Sequence, residues 1–306
     1  MTNSGPRATR NEKREHAREQ ARIFREQQQK KQRRRRLGIQ AGVLVVVLAI
    51  VAVVVVVVVQ NNHTSNVKKA KQVSAGPANM LSDGILLTGT NGKITAVKTA
   101  AVQPKAKPVA TDLTSYSGKA NIVEYIDFQC PYCEQFETSN LANINTWVKA
   151  GKATVEIHPL SFLDGSSGTN RYSSRSANAA ACVAAYDPND FLAMVKTLYA
   201  NQPAENTGGM SDDKLIGYVK SSLSTSAATS SKIASCIAGE TYKSWVTAST
   251  ARANIDVFGG TVDSSKISTP TVFVNGQQYP ASSQTWLTDP TQFTAFVEKT
   301  VPGATS

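Results

Sequence analysis

Apolar and polar positions are arranged in three different ways along the 306-residue chain. From Ala41 to Val59 nineteen apolar residues, mostly valine, follow one another without a break. At ~1.5 Å per helical residue that run reaches about 28 Å, close to the ~30 Å hydrocarbon thickness of a bilayer. It is longer than the ~7–15-residue apolar core of a cleaved signal peptide, and Val58-Val59-Gln60-Asn61-Asn62 lacks a small-x-small cleavage site. The pattern therefore predicts an uncleaved signal anchor over residues 38–59. Beyond it the periods shorten, and residues 60–82 read as a polar linker holding a domain off the membrane.

Residues 83–306 carry the signs of one folded domain. Ile85-Leu86-Leu87-Thr88 and Lys93-Ile94-Thr95-Ala96-Val97 flank Asn91-Gly92, which predicts a β-hairpin. Thr99 to Gly118, with Pro104 and Pro108, reads as an extended spacer. Asn121 to Phe128 is a strand in which Ile122, Glu124, Ile126 and Phe128 share one face and Val123, Tyr125 and Asp127 the other. Glu124 has apolar neighbours on its own face, so it is expected to be a buried carboxylate. A helix follows from Cys130 to about Ala150, with Phe136, Leu141, Ile144, Trp147 and Val148 inward, and Ala153 to His158 is the next strand. A strand–helix–strand unit of this length implies parallel pairing through a right-handed crossover.

From about 170 to 256 the pattern is helical, with segments near 177–185, 191–199, 214–223, 231–238 and 242–255, Ser211 capping the third. Strand character returns at Thr271-Val272-Phe273-Val274, turns through Asn275-Gly276 into Gln277-Gln278-Tyr279, and a helix over about 291–300 closes the chain. The fold class expected is α/β, with a helical block set between the two strand-bearing halves.

The net charge of +11 suggests nucleic acid until it is located. Residues 1–37 hold 13 Lys and Arg against 4 Asp and Glu, ending in Arg33-Arg34-Arg35-Arg36, and the remainder has a net charge of only +2. The basicity belongs to the tail, so the folded domain is not expected to bind nucleic acid. Arginines before the apolar run place the tail in the cytoplasm and the domain outside, by the positive-inside rule. The localisation expected is a cell membrane, single-pass, with an extracytoplasmic domain.

Cys130-Pro131-Tyr132-Cys133 ends the strand and opens the helix, the signature of a dithiol redox site. Pro131 suits the first helical position, since the amide it lacks has no partner there. Cys130 is then the N-cap, facing the free amides of Tyr132 and Cys133. Those amides and the positive helix end stabilise a thiolate, which makes Cys130 the attacking sulfur and Cys133 the shielded, resolving one. Burial of Glu124 would raise its pKa and fit it to take a proton from Cys133. A zinc site is disfavoured, because no further pair of ligands lies near the CxxC. His16, His63 and His158 are the only histidines. His158 ends a strand without any nucleophile-elbow sequence, and reads as a packing residue. No metal or organic cofactor is expected.

The order of elements, Glu124-Tyr125-Ile126-Asp127-Phe128-Gln129-Cys130-Pro131-Tyr132-Cys133, and Ser268-Thr269-Pro270-Thr271-Val272-Phe273-Val274-Asn275-Gly276 together resemble the thioredoxin fold. The helical block between the halves resembles its DsbA-like branch, the extracytoplasmic thiol–disulfide oxidoreductases of bacteria, in the membrane-anchored form typical of Gram-positive bacteria and actinobacteria. The resemblance implies that Pro270 is cis and lies beside the Cys130 sulfur, that the Thr269 backbone is free to pair with an extended client, and that Glu124 is the family's buried acid. It implies exported polypeptides with free thiols as partners and an integral-membrane, quinone-linked thiol oxidase for reoxidation. Tyr132 departs from the histidine of the family's strong oxidants, and Glu134 and Glu137 behind it oppose a thiolate, which bears on oxidising power. Cys182 and Cys236 lie in the helical block, on the oxidising side, and complete an even count. We expect a structural disulfide between them, worth about 4 kcal/mol for a ~54-residue loop. The alternative is a second redox pair. For the chain as a whole, the favoured expectation is an oxidase forming disulfides in exported proteins; a reductase or isomerase, or a tethered chaperone with a structural CxxC bridge, are the others.

Overall fold

The computed structural model describes residues 67–253, 267–280 and 285–305, together with Arg22. The basic tail apart from Arg22 and the apolar run expected to anchor the chain lie outside the described residues, as do the end of the helix predicted to reach 255 and the turn at Gly259-Gly260. Among the described residues no helix is long and apolar enough to cross a membrane.

A hairpin of β1 (Ile85–Thr90) and β2 (Lys93–Ala96) opens the ordered elements. Asn91 and Gly92 both have positive φ, 55° and 73°, the geometry that lets a two-residue turn follow the twist of its strands. β3 (Ala120–Ile126) is buried along its whole length and leads into α1 (Pro131–Lys149) and β4 (Ala153–Pro159). A helical block follows: α2 (Tyr172–Tyr186), α3 (Phe191–Ala200), α4 (Asp212–Ser222), α5 (Ala227–Ala238) and α6 (Lys243–Ala253). β5 (Thr271–Val274) and β6 (Gln277–Gln278) form the second hairpin, turning through Asn275 and Gly276 at positive φ. Two further helices, α7 (Thr285–Thr288) and α8 (Pro290–Thr300), close the chain.

The six strands form one sheet in the order β2-β1-β4-β3-β5-β6. β3 and β4 pair in parallel, with Ile122 opposite Val155, and β5 runs antiparallel to β3 with Val272 opposite Glu124. β1 runs antiparallel to β4 on the other side. β4 and β5 pair both edges of β3, and its two faces are buried in separate apolar clusters, Ile122 and Ile126 on one side and Val123 and Tyr125 on the other, which is why its sequence is largely apolar. α1 packs on the sheet through Phe136, Leu141, Ile144 and Val148. It approaches so closely that a Cβ on Gly89 would lie 1.6 Å from the Val148 carbonyl oxygen. Phe136 joins Tyr279, Trp286 and Phe293 in an aromatic cluster that docks α7 and α8 onto α1, with ring centroids 5.2–6.4 Å from its own. The two expected hairpins and the parallel pairing of β3 with β4 are present, and α/β is the fold class.

The stretch before β1 differs from the expected linker. From Val67 it packs onto the domain: Ala70 N–H donates to Ser235 O, Val73 N–H to Thr241 O, both at 2.9 Å, and Met80 is fully buried. Its polar composition disguised this, because the segment is held by backbone pairing to the end of α5 and not by an apolar period. The spacer after β2 is also attached, through Gly76 N–H to Val102 O at 2.8 Å and Val109 N–H to Leu81 O at 2.9 Å.

Within the helical block, α2 begins five residues ahead of the predicted 177 and α5 four ahead of 231. Ser226 caps α5 by accepting from Thr229 N–H, and Ser211 caps α4 by accepting from Lys214 N–H. Cys182 on α2 and Cys236 on α5 are joined in a disulfide, their Cα atoms 5.9 Å apart.

Candidate active site

Because Pro131 occupies the first turn of α1, Cys130 becomes its N-cap residue, with φ −76° and ψ 119°. The approach to it is a tight reversal in which Cys130 N–H donates to Asp127 O at 2.9 Å. Cys130 and Cys133 are both free thiols. Their exposures separate their roles: 4% of Cys130 is accessible and none of Cys133, while Tyr132 between them is 53% exposed.

The Thr269–Pro270 peptide bond is cis, and the Cys130 thiol donates to Thr269 O at 3.1 Å. Residues 130 and 269–270, 139 positions apart, therefore meet at one surface point. In the thiol state the Cys130 side chain caps no amide of α1. Once ionised it is held by the Cys133 thiol, the Thr269 side chain and the amides of Cys133 and Tyr132, which outweigh its burial and bring its pKa down to about 7. Burial and the neighbouring Cys130 sulfur push Cys133 well above the ordinary thiol range. Of the two sulfurs, Cys130 is the one that ionises.

Three buried carboxyls lie behind the dithiol. Glu124 on β3 is fully buried, as expected, and its partner is Glu137 on α1, itself 1% exposed. Burial raises both pKa values, and the charge of Glu137 raises Glu124 further. No donor elsewhere among the described residues reaches either carboxyl. Two carboxyls so placed can bond only to each other, and that requires a proton between them. Glu137 also lines a groove that runs between α1, α3 and β2 and is floored by Leu141, Leu192 and Ala193.

The third acid is Asp127, fully buried in the reversal. Its Oδ1 accepts from Gln129 N–H at 2.8 Å and its Oδ2 from Leu163 N–H at 3.0 Å. Burial nevertheless raises its pKa to about 6. Sequence reasoning named Glu124 as the buried acid and Glu137 only as a charge opposing the thiolate. The structure sets Glu124 against Glu137, and the charge of Asp127 bears on Cys133 as well. A signal for Glu137 was present: it stands four residues after Cys133, on the inward face of α1 that Phe136, Leu141 and Ile144 define. Asp127 carried none, because it is buried through bonds to backbone amides.

His158 stacks on Tyr125 with centroids 4.5 Å apart and its Nε2 lies 3.3 Å from Glu156 Oε1, a packing role on the sheet face away from α1. Among the described residues no group of three His, Cys, Asp or Glu side chains could hold a metal ion.

With that geometry established, similarity to known proteins is informative. The profile of a protein family described as Thioredoxin matches residues 115–299. Over 72% of its length the chain superimposes on the reduced form of the disulfide bond oxidoreductase DsbG from Mycobacterium tuberculosis, at a TM-score of 0.51 and 26% identity, covering 90% of that chain. The reduced form of DsbA from the same organism gives a TM-score of 0.51 and 25% identity, covering 72% of this chain and 95% of that one. A stretch of 93 residues is 32% identical to the serine/threonine-protein kinase PknE of M. tuberculosis. That match takes in 29% of this chain and spans only 16% of the kinase's length.

Proposed function

From the chain's membership of the Thioredoxin family, whose profile spans residues 115–299, we propose that its Cys130-Cys133 pair donates disulfides to exported proteins. The protein is a thiol–disulfide oxidoreductase of the DsbA type. The observation that carries its chemistry is the pairing of a nearly buried, ionisable Cys130 with a fully buried Cys133 at the start of α1.

In the oxidised enzyme a client thiolate attacks Cys130 Sγ. A client–Cys130 bond forms, the Cys130–Cys133 bond breaks, and Cys133 leaves as a thiolate that takes up a proton. The high pKa of Cys133 makes that proton uptake favourable, and in this reading the buried, raised-pKa Glu124–Glu137 pair is its source. A second client thiolate then attacks the client sulfur and expels Cys130 as a thiolate. Two electrons pass from client to enzyme, and the client gains a disulfide. The stability of the Cys130 thiolate makes it a good leaving group. Thr269, whose carbonyl lies at the sulfur, and Pro270 form the edge beside which an extended client would lie.

The extracytoplasmic setting of this reaction rests on the arginine block and the apolar run of residues 41–59. Reoxidation by an integral-membrane, quinone-linked thiol oxidase is part of the same proposal, which draws on the family resemblance. A second reading, a reductase or isomerase, is favoured by one observation: Tyr132 stands exposed between the cysteines where it supplies no cation to the thiolate.

The reduction potential of Cys130-Cys133 against glutathione decides between them. We expect a value above about −200 mV, on the side of the ~−120 mV of strong oxidants; one near the thioredoxin-like ~−270 mV would overturn the oxidase reading. In the same cells, Cys133→Ser should accumulate mixed disulfides between Cys130 and exported clients. Failure to recover any would leave the CxxC as a structural bridge.

A further inference from the structure

The reversal between β3 and α1 turns three carbonyls, those of Asp127, Phe128 and Cys130, toward the helical block. Each is met by a side chain from the end of α3 and the loop after it. Tyr199, buried against Phe128, donates its hydroxyl to Asp127 O at 3.3 Å. The Gln202 amide donates twice from one nitrogen, to Phe128 O at 2.9 Å and Cys130 O at 3.0 Å. In return Gln129 Nε2 donates to Pro203 O at 2.8 Å. Every residue from Asp127 to Cys130 is thereby bonded to Tyr199, Gln202 or Pro203.

Gln202 occupies the central place in this clamp. Its two bonds straddle Gln129, tying the last residue of the approach to the N-cap of α1. With both ends of that three-residue span held, the Cα–Cβ direction of Cys130 is fixed toward the amides of Tyr132 and Cys133 and toward Thr269. The Cys130 carbonyl also accepts the first helical bond, from Glu134 N–H at 3.1 Å, so Gln202 grips the same oxygen that starts the helix. Its N–H groups also offset the negative ends of two carbonyl dipoles that would otherwise oppose a charge on the adjacent sulfur. Gln202 touches neither sulfur and would act wholly through the backbone.

We propose that Gln202 is a positioning residue for the reactive cysteine: by donating to Phe128 O and Cys130 O it lets the helical block set the thiolate's stability and reactivity. The inference rests on the assignment of Cys130 as the attacking thiolate, but not on the direction in which disulfides flow.

Gln202→Met keeps length and volume and removes both donors; Gln202→Glu keeps the shape and sets an acceptor against two acceptors. The rate of Cys130 alkylation by iodoacetamide would be followed from pH 5 to 9 on the full-length reduced dithiol protein, with Cys182–Cys236 intact and the adduct identified by mass spectrometry. The midpoint should rise from wild type to Gln202→Met by about one pH unit, with a rate at pH 6 about tenfold lower, and rise further in Gln202→Glu. Val219→Ala, in the buried face of α4, serves as a variant that loosens the block without touching the clamp. A Gln202→Met midpoint equal to wild type would overturn the proposal, and so would an equal shift in Val219→Ala. If the wild-type midpoint itself lay in the ordinary thiol range, the assignment of Cys130 would fail instead, which keeps the two failures apart.

Discussion

At the scale of single residues, the acid pair behind the dithiol sets a stability dependence that can be read by titration. Glu124 is raised well above the ordinary carboxylate range by burial, so between the unfolded value near ~4.3 and its folded value the native chain holds a proton the unfolded chain has lost. Stability therefore falls as pH rises through that window. Glu124→Gln removes that dependence: the variant should be more stable than wild type at pH 7, with the gain vanishing below about pH 4. Denaturant unfolding at both pH values measures this. A gain of equal size at pH 4 would mean that packing, and not the charge, is responsible. The same variant should slow formation of the client–Cys130 mixed disulfide, the step in which Cys133 leaves, because only one carboxyl remains to hold its proton.

At the scale of elements, the segment before β1 shows where reading the chain succeeded and failed. The hairpins were legible because Asn91-Gly92 and Asn275-Gly276 demand positive φ, and α1 because Pro131 and Gly151 bracket it. The start of α2 was not. Tyr172-Ser173-Ser174-Arg175-Ser176 looks like a loop, yet Arg175 is 6% exposed, held by Asp212, by Asn170 and by Met210 O, partners that only the tertiary fold supplies. The strap over 67–82 was missed for the same reason. It makes backbone bonds to α5, and it runs so close that a Cβ on Gly239 would lie 2.1 Å from Ala70 O. A chain begun at Asp83 would lose those bonds and the buried Met80. It should unfold about 3–5 kcal/mol more easily than one begun at Thr64. Equal denaturation midpoints would show that the strap rests on the domain without stabilising it.

At the scale of the molecule, the redox state of one residue pair is linked to the stability of the whole fold. Only the reduced protein has a titrating Cys130, whose folded pKa of about 7 lies below the ~8.5 of an unfolded thiol. A depressed value contributes stability that is present above the unfolded pKa and is lost as pH falls through about 7. The oxidised protein has no such group. The difference in unfolding free energy, reduced minus oxidised, should therefore grow by about 1 kcal/mol between pH 6 and pH 8. Parallel denaturation curves of the two forms would reveal it, and a difference independent of pH would mean that Cys130 is not the ionising sulfur. The core of the site was visible in the sequence because a Cys-Pro-Tyr-Cys run states its own local geometry. What lay hidden was what reaches it across the fold: the burial of Glu137 against Glu124, Asp127 through Leu163, and Gln202 from 72 residues away.

The two outer strands of the sheet carry a consequence for how this molecule meets other polypeptides. β6 has two residues, and β2 has four, beginning at Lys93 and with the Ala96 amide donating to the Asn189 side chain. Margins so short, charged and capped give a neighbouring molecule almost no ladder to extend. Brought alongside an extended chain, the sheet is thus a poor seed for co-precipitation.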